Sequence, residues 1–134
     1  MEPTPILYDS DCRFCRSSLA LVLAWDRRRT LRPVAIQSEE GAALLPGRSE
    51  EERLRSAHLV PAGTGPVSGG AAAAPVLRTL PGGAPLAALA DRVPKVAERG
   101  YGWVAANRGR LSKLVPHAVS DRADALVRER SRPV

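Results

Sequence analysis

The sequence predicts a single α/β domain: a mixed sheet with helices on its faces, followed by a C-terminal helical extension. Three observations predict it. A strand-like apolar run, a long helical pattern and a second strand-like run follow one another within residues 5–37, the order of a βαβ unit with parallel strands. Two brief strand patterns then flank a Gly-Thr-Gly turn within residues 58–68, as in an antiparallel hairpin. From Gly69 onward every recognisable pattern is helical.

Residues 5–9, PILYD, form a short apolar run suited to a buried strand. SDCRFCRSSLALVLAWDRR then reads as a helix, with Asp11 at the N-cap and its carboxylate accepting from backbone N–H groups one turn in. Phe14, Ser18, Leu21 and Trp25 share one face at spacings of three and four. Cys15, Leu19 and Val22 lie beside them, while Arg13 and Arg16 point outward. LRPVAIQ, residues 31–37, is the second strand, with Pro33 near its beginning where a missing N–H is tolerable. Ser38 with Glu39 and Glu40 opens one or two helical turns, and Ser49 with Glu52 spells a capping box before a second short helix. HLVPAGTGPVS supplies the hairpin through Gly63, Thr64 and Gly65.

GGAAAAPVLRTL follows as a helix whose start near residues 72–74 leaves Pro75 in the first turn, and PGG ends it. APLAALADRVPKVAERGYGWVAANRGRLSKL continues as helix, broken or restarted at Pro94. Val93, Ala97, Tyr101, Val104, Ala105 and Arg108 mark its face at helical spacing. Trp25, Tyr101 and Trp103 read as core or helix-packing residues. Residues 118–134 carry little apolar content and are expected to fray as a basic tail, which leaves residues 1–117 as the domain.

At 134 residues, with 44% apolar and 25% charged side chains, the chain has the composition of one soluble globular domain. The net charge of +6 comes almost wholly from arginines scattered along the chain, so a solvated surface is expected and nucleic-acid binding is not. No segment approaches the roughly 18 unbroken apolar residues of a membrane span, and nothing at the N-terminus resembles a secretory leader. A cytoplasmic location is expected, where thiols are kept reduced. The two cysteines, Cys12 and Cys15, are therefore candidates for redox, nucleophilic or metal chemistry rather than a structural staple.

With Asp11 as the cap, Cys12 is the first helical residue and Cys15 the fourth, one turn apart on the same side and within reach of a reversible disulfide. Unpaired N–H groups and the positive end of the helix dipole favour a thiolate there; Arg13 and Arg16 add to this, and Asp11 opposes it. Thiols so placed have pKa values of roughly 3.5–7.5, and a lowered value is expected for Cys12. Cys12, nearer the helix end, is the expected nucleophile, and Cys15 the resolving thiol that releases a partner from it. Asp9 reads either as a base that moves the resolving proton or as a turn-forming side chain before the cap. His58 either approaches the cysteines from the hairpin or serves structure. Arg108, Arg110 and Lys113 either answer the dipole at a helix C-terminus or form a small basic patch. A zinc site would draw on His58 and His117, whose separations from the cysteines fit no usual zinc spacing. No metal and no organic cofactor are expected.

YDSDCRFC resembles the Y-D-x-D-C-x-x-C signature of the DCC family of thiol–disulfide oxidoreductase-like proteins. LRPVAIQSEEGAALL is similar to the family's second strand and the Q-S turn after it, and HLVPAGTGPVSGGAAAAPVLRTLPG to its hairpin and next helix. YGWVAANRGRLSKLVP is similar to its closing helical segment, so the resemblance runs over residues 5–116. It implies a thioredoxin-like fold and a redox role for Cys12 and Cys15, supported by Tyr8, Asp9 and Asp11. Two departures stand out. Thioredoxins keep a cis-proline before the strand that follows the second helix, where this chain has Ser56, Ala57 and His58; the family often has a polar or acidic residue after the hairpin serine, where this chain has Gly69 and Gly70. The expected activity is thiol–disulfide exchange with protein or small-molecule thiols and disulfides. The alternatives are a non-catalytic thioredoxin-like binding module, to which the missing proline and the basic C-terminal segment point, and a zinc-binding protein.

Overall fold

Alternation along the first strand divides the interior into two cores, because successive side chains of a strand point to opposite faces. In β1 (Thr4–Tyr8), Ile6 packs with Leu19, Leu23, Leu31, Leu59 and Leu80, whereas Leu7 packs with Val34, Ile36 and Leu45. The computed structural model describes residues 3–131. β1 pairs in parallel with β2 (Leu31–Ala35) and antiparallel with β3 (His58–Leu59), which in turn pairs antiparallel with β4 (Val67–Ser68). The sheet order is β2-β1-β3-β4, the mixed thioredoxin-like arrangement. Pro33 falls at the middle of β2, opposite Ile6; β2 is an edge strand, which spares the ladder the missing N–H.

Seven helices complete the described residues: α1 (Arg13–Trp25), α2 (Glu39–Leu44), α3 (Glu50–Leu54), α4 (Ala73–Thr79), α5 (Ala84–Arg92), α6 (Pro94–Lys113) and α7 (His117–Ser131). Their ends follow local chemistry. Ser38 Oγ accepts the Gly41 N–H at 3.0 Å, and Ser49 Oγ accepts the Glu52 N–H at 3.2 Å while meeting the Glu52 carboxylate. Pro94 occupies the first position of α6, where no intrahelical N–H bond is lost. A short 3₁₀ helix over Gly69–Ala72 leads into α4, and Pro75 lies in the first turn of α4 as expected. The two glycines that depart from the family pattern have a packing reason. Gly69 takes a left-handed φ of 61°, and a Cβ on Gly70 would lie 2.7 Å from Glu98 Cα, so only glycine lets α6 cross here.

Three expectations are corrected. The face of α1 expected to be apolar is rotated: Leu21 is 75% exposed, while Ser17, Leu19, Ala20 and Leu23 are buried, because α7 packs along α1. Trp103 is 62% exposed, since α6 turns Tyr101, Val104 and Ala105 inward instead.

The expected fraying tail is helix over residues 118–131, within α7; residues 132–134 lie outside the described residues. Its apolar contribution is small, Ala123 and Val127 with the half-buried Leu126, and buried or half-buried ion pairs add to it. Arg130 Nη2 donates to Asp26 Oδ2 at 2.6 Å with both side chains buried, and the same guanidinium donates to the carbonyls of Leu23 and Leu31 at 2.8 and 3.2 Å. Arg16–Asp124 at 2.7 Å and Arg29–Glu129 at 2.8 Å add two more cross-links. Burial pushes the Asp26 carboxyl up, but the bonds it accepts from the Thr30 hydroxyl, the Thr30 and Leu31 N–H groups and Arg130 outweigh this and hold it below the usual carboxylate value.

Arg130→Ala strands the buried Asp26 carboxylate, and Asp26→Asn strands the buried guanidinium. Each is expected to lower stability in urea unfolding by about 3–5 kcal/mol. Because the folded carboxyl is depressed, its contribution is complete above the unfolded value of about 3.9 and is lost as pH falls below that through the folded one. Acid titration of unfolding in Asp26→Asn should show that loss removed.

Candidate redox site

The loop after β1 is folded by Asp9. Its Oδ1 accepts the Asp11 N–H at 2.9 Å, an Asx turn, and the Gln37 Nε2–H at 2.6 Å. Gln37 Oε1 in turn accepts from the Ser10 N–H at 3.1 Å and the Ser10 hydroxyl at 2.9 Å, so the turn is clamped to the segment after β2. Asp9 therefore makes the turn-forming contact expected of an Asx side chain before the cap. Because this turn engages the Asp11 backbone, the residue that meets the helix in extended conformation is Cys12, with φ −97° and ψ 113°.

Cys12, not Asp11, is the N-cap: its Sγ accepts the Cys15 N–H at 3.2 Å, and Asp11 is exposed. A second first-turn donor, the Phe14 N–H, is accepted at 3.1 Å by Ser112 Oγ from the end of α6, and that hydroxyl lies 3.7 Å from Cys12 Sγ.

Both cysteines are free and half-buried, and they open in different directions. Cys12 lines a polar cleft of about 520 Å³ with Arg13, Arg16, Ser112 and Lys113, and with Asp11 at its rim. Cys15 lines an apolar cavity of about 290 Å³ whose walls include Tyr8, Phe14, Val22, Tyr101 and Val104. Asp9 and Arg108 border both spaces and form the partition between them. Arg108 Nη1 stands 3.6 Å from Asp9 Oδ2, while Nη2 donates to the Leu54 carbonyl at 2.8 Å.

Burial, then the hydrogen bond to Cys12 and the charge of Cys12, push the Cys15 thiol up to about 12; Arg108 works against this and Asp9 with it. Cys15 is thus a protonated thiol at neutral pH, and its backbone N–H is what bonds Cys12 Sγ. Burial likewise raises Tyr8, partly offset by Arg16, and raises Tyr101, partly offset by its bond to the Ala57 N–H.

The other candidate residues divide. His58 does not approach the cysteines: it is buried in the hairpin, Nδ1 at 2.6 Å from Ser68 Oγ and Nε2 at 2.7 Å from the Arg53 carbonyl, and burial lowers its pKa. Among the described residues, no three His, Cys, Asp or Glu side chains converge as a metal site would require. Arg108 leaves the helix-end role and joins the site, with Lys113; Arg110 lines neither space. Where a cis-proline was missed, Ser56 and Ala57 line the cavity beside Cys15, and the Tyr101 hydroxyl accepts the Ala57 N–H at 2.6 Å. Ser112 escaped sequence reasoning because a serine in a helical run carries no signal that it will cap another helix 98 residues earlier. Gln37 had a signal, the Q-S pair, whose function as a clamp emerges only in three dimensions.

The family model described as a DCC1-like thiol-disulfide oxidoreductase matches residues 6–114, and the chain belongs to this family. No curated protein and no solved structure matches it. Among the described residues, no helix is long and apolar enough to cross a membrane.

Two outcomes follow. Between pH 6 and 9, iodoacetamide labelling read by peptide mass spectrometry should fall on Cys12 and spare Cys15, whose thiol stays protonated. Ser112→Ala removes a cap from the Phe14 N–H and should cost about 1 kcal/mol in urea unfolding.

Proposed function

We propose that this member of the DCC1-like family is an active thiol–disulfide oxidoreductase that cycles between the Cys12/Cys15 dithiol and their disulfide. The observation that supports it best is the division of labour at the site. One sulfur faces an open cationic cleft and accepts a main-chain N–H, and the other is a half-buried neutral thiol that lines an apolar cavity. The Cys15 N–H also holds the Cys12 sulfur at the head of α1, where it lines the cleft.

The Cys12 thiolate attacks a substrate disulfide RS–SR′, forming Cys12–S–S–R and expelling R′S⁻, which takes a proton. Cys15 then loses its proton and attacks the Cys12 sulfur, forming the Cys12–Cys15 disulfide and expelling RS⁻. The substrate is reduced by two electrons, the protein is oxidised by two, and a second dithiol returns it to the starting state. Asp9 borders both spaces, and on this reading it takes the Cys15 proton; Arg108 beside it favours the Cys15 thiolate. Tyr8 walls the cavity, and Asp11 edges the cleft. Substrates on this reading are thiols and disulfides in the reducing cytoplasm. A binding module without turnover is the second reading, favoured by the Tyr101 hydroxyl that occupies the Ala57 N–H where a docked peptide would otherwise pair.

Equilibration in a series of thiol redox buffers, followed by blocking and mass spectrometry, should show one intramolecular Cys12–Cys15 bond whose fraction follows the poise. Cys12→Ser should abolish turnover, and Cys15→Ser should accumulate mixed disulfides on Cys12. A pair that stays reduced at every poise leaves only the binding module.

A further inference from the structure

The direction of the leaving sulfur indicates a substrate class, an inference that rests on the dithiol reading above. In thiol–disulfide exchange the attacking, central and leaving sulfurs lie close to a line. When Cys15 attacks the Cys12 sulfur from the cavity side, the sulfur it expels stands on the opposite side, in the cleft. The cavity is bordered by Cys15 and not Cys12, and the cleft by Cys12 and not Cys15, so the two spaces serve the two sulfurs separately.

We propose that the substrate is an anionic low-molecular-weight disulfide, seated in the cleft on Arg13 and Lys113. Four cations line this space against two carboxylates, Asp9 and Asp11. Two of the cations are committed elsewhere. Arg16 is held by Asp124 at 2.7 Å and the Ser10 carbonyl at 2.7 Å, and Arg108 by the Leu54 carbonyl and Asp9. Arg13 makes only a long bond of 3.5 Å to the Val115 carbonyl, and the exposed Lys113 has no hydrogen-bond or ion-pair partner among the described residues. These two are available to a ligand.

Asp9 is likewise engaged by Gln37, the Asp11 N–H and Arg108, which leaves Asp11 at the rim as the one carboxylate opposing an incoming anion. A cationic wall also steadies the thiolate that leaves, because the charge develops on the sulfur facing it. The size suits a small molecule: about 520 Å³ lies within the range of ligand pockets. A peptide strand finds no main-chain donor at Ala57, since the Tyr101 hydroxyl holds that N–H.

The test uses the reduced full-length protein and three disulfides of similar size: dithiodipropionate (anionic), hydroxyethyl disulfide (neutral) and cystamine (cationic). The rate of Cys12–Cys15 bond formation with each is divided by that disulfide's rate with dithiothreitol, which removes intrinsic reactivity. The normalised rates should fall in the order anionic, neutral, cationic, with about tenfold or more between the extremes, shrinking toward unity in about 1 M salt. Lys113→Glu should flatten or invert the order. Lys95→Glu, an equal change of charge at the far end of α6, should leave it intact. Equal normalised rates, or an order indifferent to Lys113→Glu, overturn the proposal. A protein that forms no Cys12–Cys15 bond with any of the three instead overturns the dithiol reading beneath it.

Discussion

The backbone donors at the start of α1 must be satisfied, and in this protein they are satisfied by a redox-capable sulfur and a hydroxyl from a distant helix. Cys12 Sγ takes the Cys15 N–H and Ser112 Oγ takes the Phe14 N–H. Most of the site depends on that arrangement. It ties the first cysteine to the backbone of the second, so their separation is set by helix geometry rather than by side-chain freedom. It draws the end of α6 over the helix tip, bringing Arg108 and Lys113 to the cysteines and walling the cleft from the cavity. An oxygen cap at residue 11, with both cysteines inside the helix, would have left Cys12 without this tie to the main chain.

The other end of α1 is held in a comparable way from still further along the chain. Asp26 follows the last turn of α1, and Arg130 of α7 reaches it across 104 residues while also taking the Leu23 carbonyl. A buried ion pair contributes less than its geometry suggests, because both charges must first leave water. What the pair adds is direction: in the docked position the guanidinium of α7 meets a carboxylate and three carbonyls at the end of α1 and the start of β2. α1 is therefore pinned at its N-terminus by α6 and at its C-terminus by α7, and the cysteines sit on a helix with little freedom to drift from β1.

How much of this the sequence disclosed depends on how local the cause was. Ser38, Ser49 with Glu52, Pro75 and Pro94 act within one turn, and each lies where the pattern put it. The two cysteines at the strand–helix junction were equally legible, because their spacing and the preceding Y-D-x-D are contiguous. What could not be read was long-range. The cap moved from Asp11 to Cys12 because Asp9 and Gln37 shape the turn between them across 28 residues. The buried arc of α1 turned because α7, an apparently polar tail, covers it. A pattern of apolar residues does not announce a helix docked by arginines, nor a serine that caps another element.

The asymmetry between the two thiols also orders the proposed chemistry in time. A resolving thiol held up to about 12 is almost wholly protonated at neutral pH, and each unit of elevation removes a factor of ten in thiolate. The greater nucleophilicity of a more basic sulfur recovers only about half of that on a logarithmic scale, so a permanently elevated Cys15 would resolve slowly. Part of the elevation, however, comes from Cys12 itself, through its hydrogen bond and its charge. Both of those contributions change once the Cys12 sulfur is bonded to a substrate, because a disulfide sulfur carries no charge and accepts a hydrogen bond weakly. Burial remains, and so does the opposing pull of Arg108. On the proposed cycle, attachment of substrate would take the charge of Cys12 away from the Cys15 thiol before its attack. Before attachment, on the same reading, the half-buried Cys15 thiol stays protonated and the cleft is left to Cys12.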